Sequence, residues 1–252
     1  FTGSVPTGKA VGQAASAQGK RVTLELGGKN AALSLDDLSV DEMVNGIMEA
    51  GYLNQGQICA AAECFWLPES KIDAVMSAIS QRLEAILPGD PLDDETQFGP
   101  LANKAQQEKI LRLIDVARSE GDEIVSGGKV FDRTGCYLQP TAIRVASANS
   151  TLMKEETFGP VGSFIAYQDA EAALEAINSS PFGLAASVWS HNLSRALRFG
   201  ERLEAGMVWV NMHTFLDPAV PFGGMKGSGI GREFGSAFID DYTELKSVMV
   251  RY

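Results

Sequence analysis

Residues 22–67 read VTLELGGKNAALSLDDLSVDEMVNGIMEAGYLNQGQICAAAECFWL and contain two strand-like runs on either side of a helical one. The runs VTLEL (22–26) and ECFWL (63–67) have the apolar content that is typical of strands. The apolar side chains between them follow the spacing of an amphipathic helix: Val40, Met43, Val44, Ile47 and Met48. This order predicts an α/β protein with a largely parallel sheet flanked by helices.

The same alternation continues along the rest of the chain. Amphipathic helices are predicted over 71–87 and 103–121, the second with Gly121 as its C-cap. Further strands are predicted at VGSFIAY (161–167), LAASVWS (184–190) and MVWVN (207–211), with helices near 169–178 and 193–204 between them. The final run, LKSVMVRY (245–252), is predicted to be a strand that pairs with another sheet, in a partner subunit.

Composition and charge restrict the class of protein. The chain has 252 residues, is 45% hydrophobic and carries a formal net charge of -11, which is typical of a soluble globular protein and disfavours nucleic acid as a partner. No apolar run approaches the roughly 20 residues that a membrane helix needs. Residues 1–10 lack the features of a secretory signal. We therefore expect a cytoplasmic protein, not bound to membranes, whose partners are small molecules or copies of itself.

The cysteines and histidines give no indication of a metal site. Cys59, Cys64 and Cys136 are odd in number and form no CxxC pair, so neither a disulfide framework nor a zinc site is expected. His191 and His213 are the only histidines, and we expect both to be surface or packing residues. A papain-like protease is a poor fit because no histidine partner for a cysteine is evident.

Cys59 and Glu25 are the first candidates for chemistry. Cys59 follows the polar Asn-Gln-Gly-Gln step at a loop or helix end, where backbone amides can lower a thiol pKa. The alternative is a small buried hydrophobic residue, which is the commoner role of cysteine. Glu25 ends a predicted strand before two glycines, where it could be a general base for the thiol or for water. The alternative is a solvated carboxylate.

Two further stretches are typical of ligand contacts. Glu156 lies in KEETFGP (154–160), and a carboxylate there could hold sugar hydroxyls, although paired glutamates in a loop are usually only solvated. FTGS (1–4), followed by Gly8, resembles a glycine-bearing turn into a helix that could receive a phosphate. An ordinary helix start is the alternative. GSGIGREFG (227–235) is discounted as a dinucleotide fingerprint because no strand and helix flank it in the required order.

Taken together, six motifs in order resemble the aldehyde dehydrogenase superfamily: FTGS, LELGGKNA, NQGQICAA, EETFGPV, VWVN and PFGGMKGSG. The separations between Glu25, Cys59 and Glu156 are also similar to those of the family. The last third of the chain most resembles phenylacetaldehyde dehydrogenases, which implies an aryl aldehyde as substrate, with Phe215 as a wall for its ring.

The resemblance implies catalytic roles for three residues. Cys59 would attack the aldehyde to give a thiohemiacetal and then a thioester, and its backbone N–H would donate to the oxyanion. Glu25 would activate the water that hydrolyses the thioester, which favours water over coenzyme A as the acceptor of the acyl group. Asn54 would help to position the loop that carries Cys59.

The resemblance also implies NAD as cofactor, with NADP left open. Glu156 would hold the nicotinamide ribose, and Phe158 would pack near the ring. The residues expected near the rest of the dinucleotide are Gly3, Ser4, Gly8 and Leu26.

The family resemblance further implies a division of the chain. Residues 1–27 would be the end of a Rossmann-like NAD-binding domain, 28–235 the catalytic domain and 236–252 an oligomerisation strand, within a homodimer or homotetramer. Family members have about twice this length, so we expect the chain to be the C-terminal portion of such an enzyme and inactive alone. The alternative is a non-catalytic truncated relative with a structural or assembly role.

Overall fold

A computed structural model describes residues 1–236 and 238–252. Ala237, within the predicted oligomerisation segment 236–252, lies outside the described residues. The α-helices are α1 (Val5–Ser16), α2 (Val40–Ile47), α3 (Ile72–Glu84), α4 (Lys104–Glu120), α5 (Ala170–Asn178), α6 (Leu193–Gly200) and α7 (Phe238–Tyr242). The strands are β1 (Leu24–Glu25), β2 (Asn30–Ser34), β3 (Ala62–Pro68), β4 (Glu123–Ser126), β5 (Thr141–Arg144), β6 (Val161–Tyr167), β7 (Phe182–Gly183), β8 (Ala185–Trp189), β9 (Met207–Val210), β10 (Met225–Lys226) and β11 (Gly229–Ile230).

A seven-stranded sheet in the order β4-β5-β6-β3-β2-β8-β9 forms the centre of the fold. Its neighbours are parallel except at one edge, where β4 runs antiparallel to β5. Two small antiparallel pairs, β1 with β11 and β7 with β10, lie outside it. The prediction of an α/β fold with a largely parallel, helix-flanked sheet is confirmed.

The prediction for the first strand was partly wrong. VTLEL (22–26) forms only the short strand β1, which pairs with β11 rather than with the main sheet. The first strand of the main sheet is instead β2, in the segment NAALS that no pattern indicated. Asn, Ala and Ser have low strand propensity, and β2 is a strand because β3 and β8 pair with it on both sides.

Most other predicted elements are confirmed, several of them with ends that differ by a few residues. Helix α4 ends at Gly121, which has the left-handed conformation expected of a C-cap, with φ 89°. Ser39 and Glu42 form a reciprocal capping box at the start of α2. Beyond α2 the chain tightens into a π-helical turn, Met48–Tyr52, and a 3₁₀ turn, Leu53–Gly56. The short strands β4 and β5 at the sheet edge were not predicted.

Side chains alternate between the two faces of the sheet, so each central strand contributes to two cores. On β3, Phe65 and Leu67 pack with α2 and α3, whereas Cys64 and Trp66 face the layer that contains α4, α5 and α6. Cys64 is a buried core residue.

The end of the chain has no strand. Residues 243–252 have no regular secondary structure and are exposed, and Leu245, Val248 and Met249 are among the most exposed apolar side chains. The predicted strand LKSVMVRY therefore does not pair with the chain's own sheet. In the described residues, every helix is too short or too polar to span a bilayer.

Phe65→Ala should destabilise the fold strongly. The ring of Phe65 is fully buried and stacks on Phe164 of the neighbouring strand, with the centroids 4.9 Å apart. Loss of a buried aromatic ring costs about 3–5 kcal/mol of unfolding free energy, which urea titration followed by circular dichroism would measure. Leu87→Ala is the control, because Leu87 is 79% exposed. Equal costs for the two variants would contradict this account of the core.

Candidate active site

The candidate residues meet at the amino ends of the parallel strands. Glu25 precedes β2, Cys59 precedes β3 and Glu156 precedes β6. Because these strands run parallel and are neighbours in the sheet, the loops that lead into them lie at one edge. The charges of Glu25 and Glu156 both act on the Cys59 thiol, so the fold brings all three residues together.

Three consecutive left-handed residues lead into the Cys59 loop. Asn54, Gln55 and Gly56 have φ values of 50°, 56° and 67°. Asn54 is exposed, and its amide donates to Gln57 O over 3.2 Å, so it helps to hold the turn. A Cβ on Gly56 would lie 2.2 Å from Gly159 O, so this turn requires glycine where it meets the loop before β6.

Asn30, which sequence reasoning missed, fixes the backbone on both sides of the thiol. Its buried amide nitrogen donates to Cys59 O and to Ala61 O, both over 2.8 Å. Its amide oxygen accepts from Ala185 N on β8 over 3.0 Å. One side chain thus ties the Cys59 loop to two strands.

The thiol of Cys59 is partly buried, and the pKa shift is opposite to the predicted one. Burial raises the pKa of Cys59, and the Glu25 charge raises it further. Backbone N–H groups of Ala60 and Cys59 face the sulfur and lower the pKa, as expected for a thiol near amides, but the other effects dominate. A thiol with a raised pKa would need a nearby proton acceptor to react as a thiolate.

Glu25 is a buried carboxylate without a hydrogen-bond partner among the described residues. It is 4% exposed, and neither of its oxygens is paired. Burial raises its pKa to about 7, and the neighbouring charge of Glu233 adds to the shift, whereas Arg232 opposes it. A carboxylate that titrates near neutral pH is suited to take a proton from a thiol or from water.

Glu156 projects towards the glycine turn that follows Glu25. Gly28 N donates to Glu156 Oε1 over 3.0 Å, and a Cβ on Gly27 would lie 2.5 Å from Oε2. Glycine at this position lets the carboxylate approach the backbone. Burial raises the pKa of Glu156. Oε2 accepts no hydrogen bond from the described residues, so an acceptor is available for a ligand hydroxyl.

The loop after Glu156 is held by two side chains that the sequence did not indicate as functional. The buried carboxylate of Glu63 accepts from Thr157 N and Phe158 N, each over 2.8 Å, and forms an ion pair with Lys29. Gln106 donates to the carbonyl oxygens of the same two loop residues. Phe158 is partly buried and left-handed, with φ 52°.

The first turn of the chain is bonded to the strand of Glu25. Gly3 N donates to Glu25 O over 3.0 Å, and Ser4 caps α1 by accepting from Thr7 N. Both Gly3 and Ser4 are exposed. Gly8 and Leu26 have a packing role, since a Cβ on Gly8 would lie 2.2 Å from the Leu26 side chain.

Some of the residues that the sequence analysis did not identify stand in a recognisable sequence pattern, and others do not. Lys29 and Asn30 stand in the LELGGKNA motif, and Glu63 is a charge at the start of an apolar strand, which indicates a buried pair. His213 is 2% exposed with both ring nitrogens bonded, and no local pattern predicts this. No cluster of three or more metal-ligating side chains occurs in residues 1–236 and 238–252.

Comparison with known proteins finds similar sequences that belong to one family. The sequence model of the aldehyde dehydrogenase family matches residues 1–248. A betaine aldehyde dehydrogenase of Cereibacter sphaeroides is 41% identical over 250 residues, which cover 99% of this chain and 52% of that protein. One of Sinorhizobium fredii is 39% identical over 253 residues, with the same coverage of both chains. The chain spans about half the length of the curated relatives it matches.

Solved structures of related proteins match this chain over nearly its whole length. The NAD⁺ complex of an aldehyde dehydrogenase from Bacillus cereus aligns with a TM-score of 0.96 at 38% identity, covering 99% of this chain and 51% of that one. A betaine aldehyde dehydrogenase from Staphylococcus aureus, also in complex with NAD⁺, aligns with a TM-score of 0.93 at 34% identity, covering 96% and 49%.

Gly56→Ala should destabilise the protein more than Gly19→Ala. Both glycines are left-handed, with φ 67° and 66°, so both variants carry the same backbone strain. Only Gly56 also meets Gly159 O, whereas a Cβ on Gly19 has nothing within 4 Å. The additional clash should cost about 2 kcal/mol, measured by urea unfolding. Similar losses in the two variants would show that the contact is not restrictive.

Glu25→Gln should stabilise the protein relative to the wild type as the pH rises. The pKa of Glu25 increases on folding from 4.5 to about 7, so the folded state binds the proton more tightly and the wild type loses stability as the pH passes from 4.5 through 7. Between pH 5 and pH 8 the variant should gain about 2 kcal/mol on the wild type in urea unfolding. Glu201→Gln, at an exposed carboxylate, is the control. An identical pH dependence of the two variants would contradict the shift.

Proposed function

Because the chain belongs to the aldehyde dehydrogenase family, we propose that it carries the nucleophile, the base and part of the cofactor site of an enzyme that oxidises an aldehyde to its carboxylic acid. The observation that carries this proposal is the buried, unpaired carboxylate of Glu25, with a pKa of about 7, beside the Cys59 thiol. A packing role would not leave a carboxylate of this kind unpaired.

Cys59 is the nucleophile. Glu25, directly or through a water molecule, takes the proton of the thiol, and the thiolate sulfur then bonds to the aldehyde carbon. The carbonyl oxygen gains negative charge, which the Cys59 N–H stabilises as a donor. The sulfur and the former carbonyl carbon now form a thiohemiacetal, and its oxidation leaves a thioester on Cys59.

NAD is the proposed cofactor, and the described residues fit its nicotinamide ribose. The fit rests on Glu156 Oε2, a carboxylate oxygen free to accept a ribose hydroxyl beside the Gly27 backbone, where a Cβ would fill the space. Phe158 would pack near the ring, and Gly3 and Ser4 would lie near the pyrophosphate. When bound, NAD supplies the hydride acceptor. Two relatives of known structure are NAD⁺ complexes.

Glu25 acts again in the second half of the reaction. Its carboxylate takes a proton from a water molecule, whose oxygen attacks the thioester carbon, and the carboxylic acid leaves as the thiolate of Cys59 is restored. A base buried at this position supports hydrolysis rather than transfer to coenzyme A. The same carboxylate must be ionised in each step, which a pKa near 7 permits at cellular pH.

An aryl aldehyde is the proposed substrate. Cys59 packs at the edge of an apolar cluster that contains Trp209 and Phe222. Trp209 Nε1 donates to Phe215 O over 2.8 Å, so the neighbouring loop is anchored to this cluster. The side chains of Phe215 and Leu216 are exposed, at 61% and 43%, and could cover an aromatic ring.

The remaining proposals concern the whole protein. Residues 1–27 would belong to a cofactor domain and 28–235 to the catalytic domain. The exposed apolar segment that ends with Tyr252 would add a strand to a second copy, giving a homodimer or homotetramer. An assembly role without catalysis is the competing proposal, and the retained Cys59 and Glu25 argue against it.

Turnover by Glu25 and Cys59 variants tests the proposal. Because the chain is expected to be inactive alone, the assay uses the full-length enzyme that contains it. That enzyme should reduce NAD, followed at 340 nm, with phenylacetaldehyde preferred over acetaldehyde and betaine aldehyde in kcat/KM. Cys59→Ser should abolish turnover. Glu25→Gln should accumulate an acylated Cys59, seen by mass spectrometry, because hydrolysis is lost. Cys136→Ser, at another partly exposed thiol, is the control. Unchanged turnover in Cys59→Ser would refute the mechanism, and a preference for betaine aldehyde would refute only the aryl substrate.

A further inference from the structure

His213 is a buried histidine that the proposed reaction does not use. Its Nε2 lies 2.8 Å from Ala60 O, in the residue that follows the nucleophile. Its Nδ1 lies 2.9 Å from Ser187 Oγ on β8. The expectation of a surface or packing residue is therefore incomplete, because both ring nitrogens have polar partners inside the protein.

The partners determine which nitrogen carries the proton. A carbonyl oxygen only accepts, so Nε2 must donate to Ala60 O. Burial lowers the pKa of His213 to about 4, so the ring is neutral and Nδ1 accepts from the Ser187 hydroxyl. Ser187 Oγ in turn accepts from Trp189 Nε1 over 2.8 Å. These groups form a directed chain from Trp189 to Ala60.

The chain continues through the backbone of the nucleophile turn. Ala60 O and Ala61 N belong to one trans peptide, in which the carbonyl and the N–H point in opposite directions. Ala61 N donates to Ile58 O over 3.0 Å. The carbonyl of Ile58 shares its peptide with the N–H of Cys59. A hydrogen bond at Ala60 O therefore helps to fix the direction of the Cys59 N–H.

We propose that His213 is a positioning residue, which orients the Cys59 N–H towards the reacting sulfur and the developing oxyanion through two hydrogen-bonded peptides. Hydrogen bonds in such a chain polarise one another, so the imidazole also strengthens the last donor. Asn30 acts on the intervening peptide through Cys59 O, independently of His213.

The ring itself is held on its other sides. The indole of Trp209 packs on it with centroids 4.7 Å apart, and His213 N donates to Glu49 Oε1 over 3.0 Å. Glu49 is the titratable group that faces this residue from the π-helical turn, and it bonds the backbone rather than the ring. The imidazole is thus fixed in one orientation by groups from several elements.

The test compares two amides at position 213. His213→Gln places an N–H near the Nε2 position and can still donate to Ala60 O. His213→Asn reaches only the Nδ1 position and can bond Ser187 but not Ala60 O. Both remove the ring, so loss of packing against Trp209 is matched between them, and thermal unfolding of each variant checks the fold.

The readout is the rate of Cys59 alkylation by iodoacetamide against pH, followed by peptide mapping, which requires no cofactor or aldehyde. His213→Asn should react about fivefold more slowly at neutral pH, as expected when one hydrogen bond to a reacting site is lost. Its apparent thiol pKa should rise. His213→Gln should stay within about twofold of the wild type. Equal rates for Asn and wild type, or an equal loss in Gln and Asn, would overturn the proposal.

A second variant covers the case in which His213→Asn does not fold. Ser187→Ala keeps the imidazole but removes the hydroxyl that fixes its tautomer, and it should slow alkylation about twofold to threefold. Ser163→Ala is the control, since Ser163 is also buried in the sheet but donates to Leu152 O. Equal rates in these two variants would also overturn the proposal. The inference rests on Cys59 as nucleophile, which the turnover of Cys59→Ser tests separately.

Discussion

The carboxylate of Glu63 lies where the segments that carry the candidate chemistry meet. It belongs to the central strand β3, four positions after Cys59, and its oxygens accept from Lys29, Thr157 and Phe158. Removing one partner of a buried ion pair leaves an uncompensated charge, which costs about 3–5 kcal/mol. The loop of Glu156, the turn after Glu25 and the strand after Cys59 therefore keep one arrangement, on which the geometry of the whole site depends.

Burial has different effects on polar groups that have hydrogen-bond partners and on those that lack them. Glu63 is buried, and both of its carboxylate oxygens accept hydrogen bonds, so its role is structural. Glu25 is buried and unpaired, so burial raises its pKa to about 7 and makes it a proton acceptor near neutral pH. His213 is buried between a donor and an acceptor, so burial holds it neutral with a pKa of about 4. Burial thus leaves one base available and keeps one imidazole fixed.

Much of the fold and the central residues of the site follow from the sequence. Helical spacing predicts α3 and α4, and the left-handed Gly121 ends α4 as expected. Strand composition predicts β3 and β6. Cys59, Glu25 and Glu156 stand in short motifs whose order resembles one family, and the fold brings them together. These properties are local, because periodicity, turn residues and motifs lie within a few neighbouring positions.

Tertiary structure alone decided the rest. The sequence did not show that VTLEL pairs with β11 instead of the main sheet, nor that NAALS is a central strand. Strand pairing depends on partners far along the chain. The sequence did not identify Lys29 as the partner of Glu63, nor the contact of His213 with Ala60 O, because these contacts join residues on separate elements. The sequence by itself determined which groups could react. Only the folded chain decided which of them are buried, paired or free, since burial and pairing arise from contacts between distant segments.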